Sequence, residues 1–547
     1  MATYGIDLGT TYCAVARMDP SRGRDPIPVL FDDGGAFPSL VLLAPGNNGP
    51  RAVVGHKARA EYARLVGRRF DPPAGVHLIR GAKNHIGRLP EGLEGGPPWV
   101  VEGREFTATD VSALILRALR RRVEVQNLPM MERVVVTHPQ KFRNLQRLAT
   151  QQAAEIAGLN LLGILTEPDA AAWAFEHRKP SGGGQKTVVF DFGGGTLDVV
   201  LMEAWQDEQG RTQTRVVASD GASCGGLEID QRICAELIAR YVRQVGDDDV
   251  DDESMRAQAQ DEFMAKAEWI KRALNTAEAV GDADWQDHQK RVAFDNLAGH
   301  PPASVDVSLG ELSQWVEPVL GRAMDTLRSA LRKGNWRSAD VDVIRMTGQS
   351  SLLVAMRKRL EQEFDPRRVV LDHDPRSFLH PATIVASGAA VFGHTMASEG
   401  AAARAAVRGA IPETISFTSR ISTAHPPVEV FEGIPAGTAT PAHIEKAFTL
   451  NVRGVTLPNG GRTLPIEVFE GASRTPIGTY QLTFDKPLEH DEEVVVTLDF
   501  ARNGRFSMGV RYRGEQREAR LAEVDCVLDP GALDERRDLI SRMELEV

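Results

Sequence analysis

Asp191, Gly193, Gly194, Gly195, Thr196 and Asp198 crowd into one short stretch, Thr187-Val188-Val189-Phe190-Asp191-Phe192-Gly193-Gly194-Gly195-Thr196-Leu197-Asp198-Val199-Val200-Leu201-Met202. Glycines there permit positive φ and leave backbone N–H groups uncovered, a surface that suits an anion with three or more oxygens. The aspartates beside the turn suit a hydrated Mg²⁺ of the kind that accompanies a polyphosphate. The apolar runs on either side read as strands buried on both faces. Because a strand follows the glycines, Walker-type and dinucleotide fingerprints are excluded; both need glycines that open a helix.

The pattern occurs again at the start of the chain, in Tyr4-Gly5-Ile6-Asp7-Leu8-Gly9-Thr10-Thr11-Tyr12-Cys13-Ala14-Val15-Ala16. One glycine hairpin is ordinarily only a hairpin. Two of them, each with Asp before and Thr after the glycine, point to two related half-domains clamping one nucleotide from opposite sides.

The elements between must carry whatever else the chemistry needs. Lys83 lies in a short helical or loop stretch between Gly81 and Gly87, where a solvated lysine is the ordinary reading. A helix over 110–125 precedes a buried strand, Arg133 to Thr137, ended by His138-Pro139. The next helix runs from near Lys141 to Ala157, with Gly158 as its cap and Arg147 off its apolar stripe. Glu167 stands where strand Ile164–Thr166 turns into a helix over 169–177. A glutamate there is either a partner for the helix dipole or, at a strand end of an α/β sheet, a group aimed into the ligand crevice.

Residues 180–185 form a glycine-rich linker, and Gly225-Gly226 is a further glycine turn leading into a helix. The acidic run 247–253 lacks the alternating ligands and central glycine of a calcium loop and reads as the solvated start of a helix over about 253–279. On that helix Glu268, Lys271, Arg272 and Asn275 share one side, either a wet face or the wall of a nucleoside site. Gly348 follows strand Val341–Met346 and precedes a helix over 352–364, whose first amides can face a ribose or phosphate. A small-residue helix over 382–391 closes this region. Residues 395–410 read as a connector, and from 411 the pattern has period two, with Asn503-Gly504 turning a hairpin. Residues 530–545 read as one short helix.

At 547 residues the chain is too long for one core, so two to four domains are expected. The net charge of −11 is spread along the chain with no basic stretch, which argues against nucleic acid as a partner. The expectation is a cytoplasmic protein with no membrane partner: the N-terminus enters a strand at once, with no secretory leader, and no apolar run reaches membrane-spanning length. Cys13, Cys224, Cys234 and Cys526 have no C-x-x-C spacing and read as small core residues of a reduced protein.

With both hairpins, Lys83, Glu167 and the 268–275 helix, the chain resembles the 70 kDa heat-shock chaperone family, the DnaK type. The most specific motifs are Ile6-Asp7-Leu8-Gly9-Thr10-Thr11, Thr166-Glu167-Pro168, Asp191 to Asp198, and Gly225-Gly226-Leu227-Glu228-Ile229-Asp230. The resemblance implies an α/β actin-like ATPase domain over 1–394, two lobes built from ribonuclease-H-like halves. It implies a linker over 395–410, a small all-β sandwich that binds substrate or partner over 411–528, and a short C-terminal helix over 529–547. It implies ATP or ADP with Mg²⁺ as cofactors. Asp7 and Asp191 would hold the water shell of the metal. Gly9, Thr10, Thr11, Gly193, Gly194, Gly195 and Thr196 would cradle the phosphates. Lys83 would neutralise the γ-phosphate, and Glu167 and Asp198 would order the attacking water. Glu268, Lys271, Arg272 and Asn275 would line adenosine, with Gly225, Gly226 and Gly348 allowing close approach. Pro139 and Arg147 match the proline switch and its arginine partner.

Departures from the family pattern cluster in the coupling parts. Asn84 replaces the arginine after the catalytic lysine, Ser351 the arginine that packs on adenine, and Gly163 the basic residue used by J-domain partners. The leucine-rich linker is alanine-rich, and the helical lid shrinks to one helix. These features imply weak J-domain regulation while leaving a nucleotide-exchange factor possible. The expected activity is slow ATP hydrolysis whose nucleotide state controls binding of unfolded or extended polypeptide. A scaffold that binds one specific protein without refolding it is the alternative, and a small-molecule kinase on the same fold a third.

Overall fold

A computed structural model describes residues 2–547 except 32–35, 68, 70, 88–97, 141, 179–183, 207–211, 247–256, 296, 298–300, 373, 375, 399–406, 409–413, 420–429, 436–437, 439–441, 451, 453–456, 471–477, 501–505, 519–527 and 529. The acidic run, Asn503-Gly504, Cys526, and most of the two glycine- and alanine-rich connectors therefore lie outside the described residues.

Both glycine hairpins form the antiparallel pairs their alternation of β-branched and small residues predicts. Thr3–Asp7 pairs with Tyr12–Met18, and Gln185–Phe192 with Leu197–Gln206. Each hairpin then gains one further strand on its outer side, Ile27–Val29 or Thr212–Ala222, again antiparallel. On its inner side each gains two parallel strands. These are Val134–His138 and Leu161–Thr166 in the first sheet, and Val343–Thr347 and Val369–Val370 in the second. Numbered by appearance within its half, each sheet has the core order 3-2-1-4-5. The repeat seen in the motifs is thus a repeat of topology.

Parallel strands covered on both faces need continuous apolar runs, and Val134, Val135, Val136, Val188, Val189 and Phe190 are all fully buried. Between the sheets lie the helices Glu167–Arg178 and Ile384–Ser398, whose alanines share one core cluster with Ala14, Ala16, Val189 and Val200. The small side chains at 386–390 let these two helices pack closely, as their composition implies. The outer face of the first sheet packs on Ala108–Val125, opened by a Thr107–Asp110 capping box, and on Asn144–Ile156.

The helix expected over 253–279 is two helices, Ala257–Leu274 and Ala277–Gly281. Thr276 ends the first by capping the second: its hydroxyl accepts from the Ala279 N–H at 3.3 Å.

Downstream, two four-stranded antiparallel sheets share one apolar core. Ile415, Phe417, Ile466, Val468 and Leu482 of one sheet meet Val494, Val496, Leu498, Met508 and Val510 of the other. Leu145, on the helix Asn144–Ile156, packs against this core from outside.

The C-terminus differs from expectation. Its helix ends at Arg542, and Glu544–Glu546 forms a strand parallel to Arg51–Val54, at the edge of a small sheet completed by Val41–Ala44 and His77–Ile79. Burial of Ile540, Met543 and Leu545 in the first half's core accounts for the docking, at about 1.5–3 kcal/mol for each large side chain. No helix among the described residues is long and apolar enough to cross a membrane.

Candidate active site

The two hairpins meet tip to tip. A Cβ placed on Gly194 would lie 2.4 Å from Thr11 Oγ1, so no larger residue fits while the tips touch. Gly193 N–H closes its own turn onto Thr196 O at 2.9 Å. The helix Gly226–Val245 starts directly beneath: the N–H groups of Gly226 and Leu227 donate to Gly193 O and Gly194 O at 3.0 and 2.7 Å. A third turn leans in from Gly348, whose φ of 76° and 2.4 Å clearance from Phe192 O, again for an added Cβ, both require glycine. The next turn is anchored by Ser350, whose hydroxyl donates to Gly193 O at 2.8 Å.

These turns enclose a cavity of about 240 Å³, far above the roughly 15 Å³ that one water needs. Asp7, Lys83, Glu167 and Asp191 line one end. Lys83 is a buried residue of the 3-10 turn Ala82–His85, not a solvated one. Its ammonium is ion-paired with Glu167, the first residue of its helix, and sits 5.9 Å from the Phe142 ring centre. Thr137 Oγ1 donates to Asp7 Oδ1 at 3.2 Å. Asp198, also buried, lies directly across the hairpin ladder from Asp191.

Three buried carboxylates, Glu167, Asp191 and Asp198, and the half-buried Asp7 thus crowd together beside one buried cation. Burial and the Glu167 charge push Asp7 up to about 7, against the opposing pull of Lys83. Burial, then Glu167, Asp198 and Asp7, push Asp191 well above the carboxylate range. For Lys83 burial works against the charge, but Glu167 and Asp7 outweigh it and raise its affinity for the proton. Such a site gains from added positive charge. Among the described residues no group of three or more His, Cys, Asp or Glu is placed to hold a metal ion; carboxylates such as Asp7 and Asp191 suit a cation that keeps its waters.

A pH dependence follows. Because the folded state raises Asp7's proton affinity above its ordinary 3.8, this group's stabilisation is complete below about pH 4. It is lost as pH rises through about 7. The melting temperature of the ligand-free protein is therefore expected to fall between about pH 5 and about pH 8, and to fall less in Asp7→Asn. Equal slopes in the two proteins, measured by calorimetry, would contradict this placement of Asp7.

At the other end the cavity is lined by Glu268, Lys271, Arg272 and Asn275, so that polar face is a wall rather than a wet surface. Lys271 pairs with Asp230 at 2.7 Å. Asn275 is pinned twice, by Val354 N–H donating to its Oδ1 at 2.8 Å and by its Nδ2 donating to Lys271 O at 2.7 Å. Arg272 lies 5.5 Å from the Tyr12 ring centre and donates to the Tyr12 hydroxyl at 3.1 Å, which itself donates to Glu268. Ser351 is turned away from the cavity: it is fully buried, and its hydroxyl donates to Thr347 O.

Gly9, Thr10, Thr11, Gly193, Gly194, Gly195, Thr196, Gly226 and Gly348 also line the cavity. Asp198 and Gly225 stand behind it, Gly225 close against Gly194. Pro139 follows the strand Val134–His138, and Arg147 is buried on Asn144–Ile156, outside the lining. Sequence reasoning missed Tyr12, Thr137, Asp230 and Phe142 as supports. Tyr12 carried a signal, as the residue after the paired threonines; Thr137 carried none, because its role depends on which strand lies beside Asp7. A family model described as Hsp70 protein matches residues 3–524.

Proposed function

Because the chain belongs to the Hsp70 family, we propose that it is an ATP hydrolase of chaperone type whose nucleotide state controls polypeptide binding by the β-rich part of the chain. At family level this means an actin-like ATPase fold, ATP or ADP with magnesium, and unfolded polypeptide as client. The single observation that carries the reading is the pair of facing glycine hairpins, with Lys83 and Glu167 held between Asp7 and Asp191.

In this reading the uncovered N–H groups of the hairpins and the hydroxyls of Thr10, Thr11 and Thr196 cradle the β- and γ-phosphates. Magnesium, when bound through water, supplies charge neutralisation across those phosphates. Lys83 donates to the γ-phosphate oxygens, giving up part of its pairing with Glu167. Glu167, so released, accepts a hydrogen bond from the attacking water and holds it in line, while Asp198, behind the cavity, acts on the water only through its neighbour Asp191. Phosphoryl transfer asks little more of a protein than such positioning and charge stabilisation. Glu268, Lys271, Arg272 and Asn275 hold the nucleoside. With Ser351 turned away from the cavity, the base is held by this wall and by Leu352 and Leu353 rather than by a stacking arginine.

Domain bounds of 1–394, 395–410, 411–528 and 529–547 go with this reading, the third being a β-sandwich that holds extended segments by strand-like contacts. The scaffold reading also keeps specific support. The C-terminal helix packs on Ala108–Val125 and Asn144–Ile156, which suits a fixed partner surface. Titration of ATP and ADP into the protein with magnesium, followed by capture of generic unfolded peptides in each nucleotide state, tests the proposal. No nucleotide uptake sinks the hydrolase, and one stoichiometric protein with no peptide capture sinks the chaperone in favour of the scaffold.

A further inference from the structure

The described residues of the C-terminal segment, 528 and 530–547, pack on the first half of the molecule. At its entry Gln152 brackets Leu528, donating from Nε2 to the carbonyl at 2.5 Å and accepting the N–H at 3.1 Å. The helix Pro530–Arg542 then lies on Ala108–Val125 and Asn144–Ile156. Carbonyls at a helix end have no helical N–H to accept from. Here Arg117 supplies the donors, bonding Ile540 O, Ser541 O at 2.9 Å and Met543 O at 3.1 Å. The strand Glu544–Glu546 follows on the exposed edge of Arg51–Val54, with Leu545 buried, Arg121 donating to Leu545 O at 2.6 Å and Lys57 facing Glu546 at 3.5 Å.

What this clasp touches gives it a role. The strand it extends leads through Gly55 and His56 into the helix Lys57–Val66. That helix carries Arg59, which reaches across the cleft to Asp261 at 3.4 Å and Glu268 at 3.8 Å, while Arg80 pairs with Asp261 from the adjoining segment. These bridges join the two halves beside the nucleoside wall. The clasp's other end rests on Asn144–Ile156, the helix whose Leu145 packs on the β-rich core. One covalent segment therefore links the β-rich part, through a three-residue added strand, to the arginines that hold the cleft shut.

We propose that residues 528–547 form a cis-acting brake on nucleotide release: the docked strand stiffens Arg51–Val66 and so holds the Arg59 and Arg80 bridges, and undocking it loosens them. The brake rests on the nucleotide reading above, so its test has one readout that needs no nucleotide. Two full-length variants serve, Leu545→Asp, which puts a charge at the buried position of the added strand, and Arg117→Ala, which removes three carbonyl bonds. Amide hydrogen exchange across residues 51–66 of the nucleotide-free protein is expected to quicken about tenfold in both variants, the factor that ~1.4 kcal/mol of lost protection produces. Unchanged exchange overturns the proposal. Release of a fluorescent ADP analogue is expected to quicken by a similar factor of about ten; faster exchange with unchanged release also overturns it. If the wild-type protein takes up no analogue at all, the nucleotide reading has failed and the brake falls with it, a result visible before any variant is made.

Discussion

Lys83→Ala and Asp191→Asn are each expected to lower ATP turnover by about 10²–10³-fold while leaving the protein folded, because each removes a group placed to stabilise charge on the phosphates, directly or through their metal. Their effects on stability should differ in sign. Removing Lys83 strands Glu167, its buried partner, and costs about 3–5 kcal/mol, the range for breaking a buried ion pair by removing one partner. Asp191 already holds its proton far more tightly than an ordinary carboxyl, through burial and three carboxylate neighbours. An amide in its place mimics that neutral form, so Asp191→Asn should melt no lower than the parent and lose the activity all the same. Steady-state phosphate release with thermal unfolding of the same samples checks both halves. Unchanged turnover in both variants would remove these residues from the catalytic site.

Gly194→Ala should act on binding rather than on chemistry. The added methyl arrives 2.4 Å from Thr11 Oγ1 and 3.1 Å from Thr11 Cβ, distances that force the two hairpins apart. A loss of about 100-fold in ADP affinity is expected, equivalent to ~2.7 kcal/mol. Pairing it with Thr11→Ala removes the nearest colliding atom and should restore part of that loss, which a double-mutant cycle by calorimetry would read as a positive coupling. Additive losses would mean that the hairpin tips are not in contact where the ligand binds.

What could be read from the chain alone was local. The hairpins were legible because their glycines, aspartates and threonines are neighbours in sequence, and because their flanks are apolar enough to be strands and nothing else. The wall of the cavity was legible as a polar face that could be wet or a wall; the approach of Tyr12 from the other half decides it, turning Glu268 and Arg272 toward the cavity. Lys83 read as a surface lysine because burial of its ammonium depends on Glu167, eighty-four positions away. The last strand was invisible for a related reason. Glu544–Glu546 has one apolar residue between two charges, no period to detect, and helix formers all around it. It is a strand because an unpaired edge is waiting for it and Arg117 has already taken the carbonyls that a continuing helix would use.

The matching strand order of the two central sheets bears on how such a molecule came to exist. Either half alone carries one glycine hairpin with an aspartate before the turn, which is half a grip on a triphosphate. Two copies of one such half, facing each other through their hairpin tips, would complete it as an isologous pair. Fusing the copies into one chain frees each to diverge, and that freedom is visible here: one descendant supplies the lysine and glutamate, the other the bed for the base.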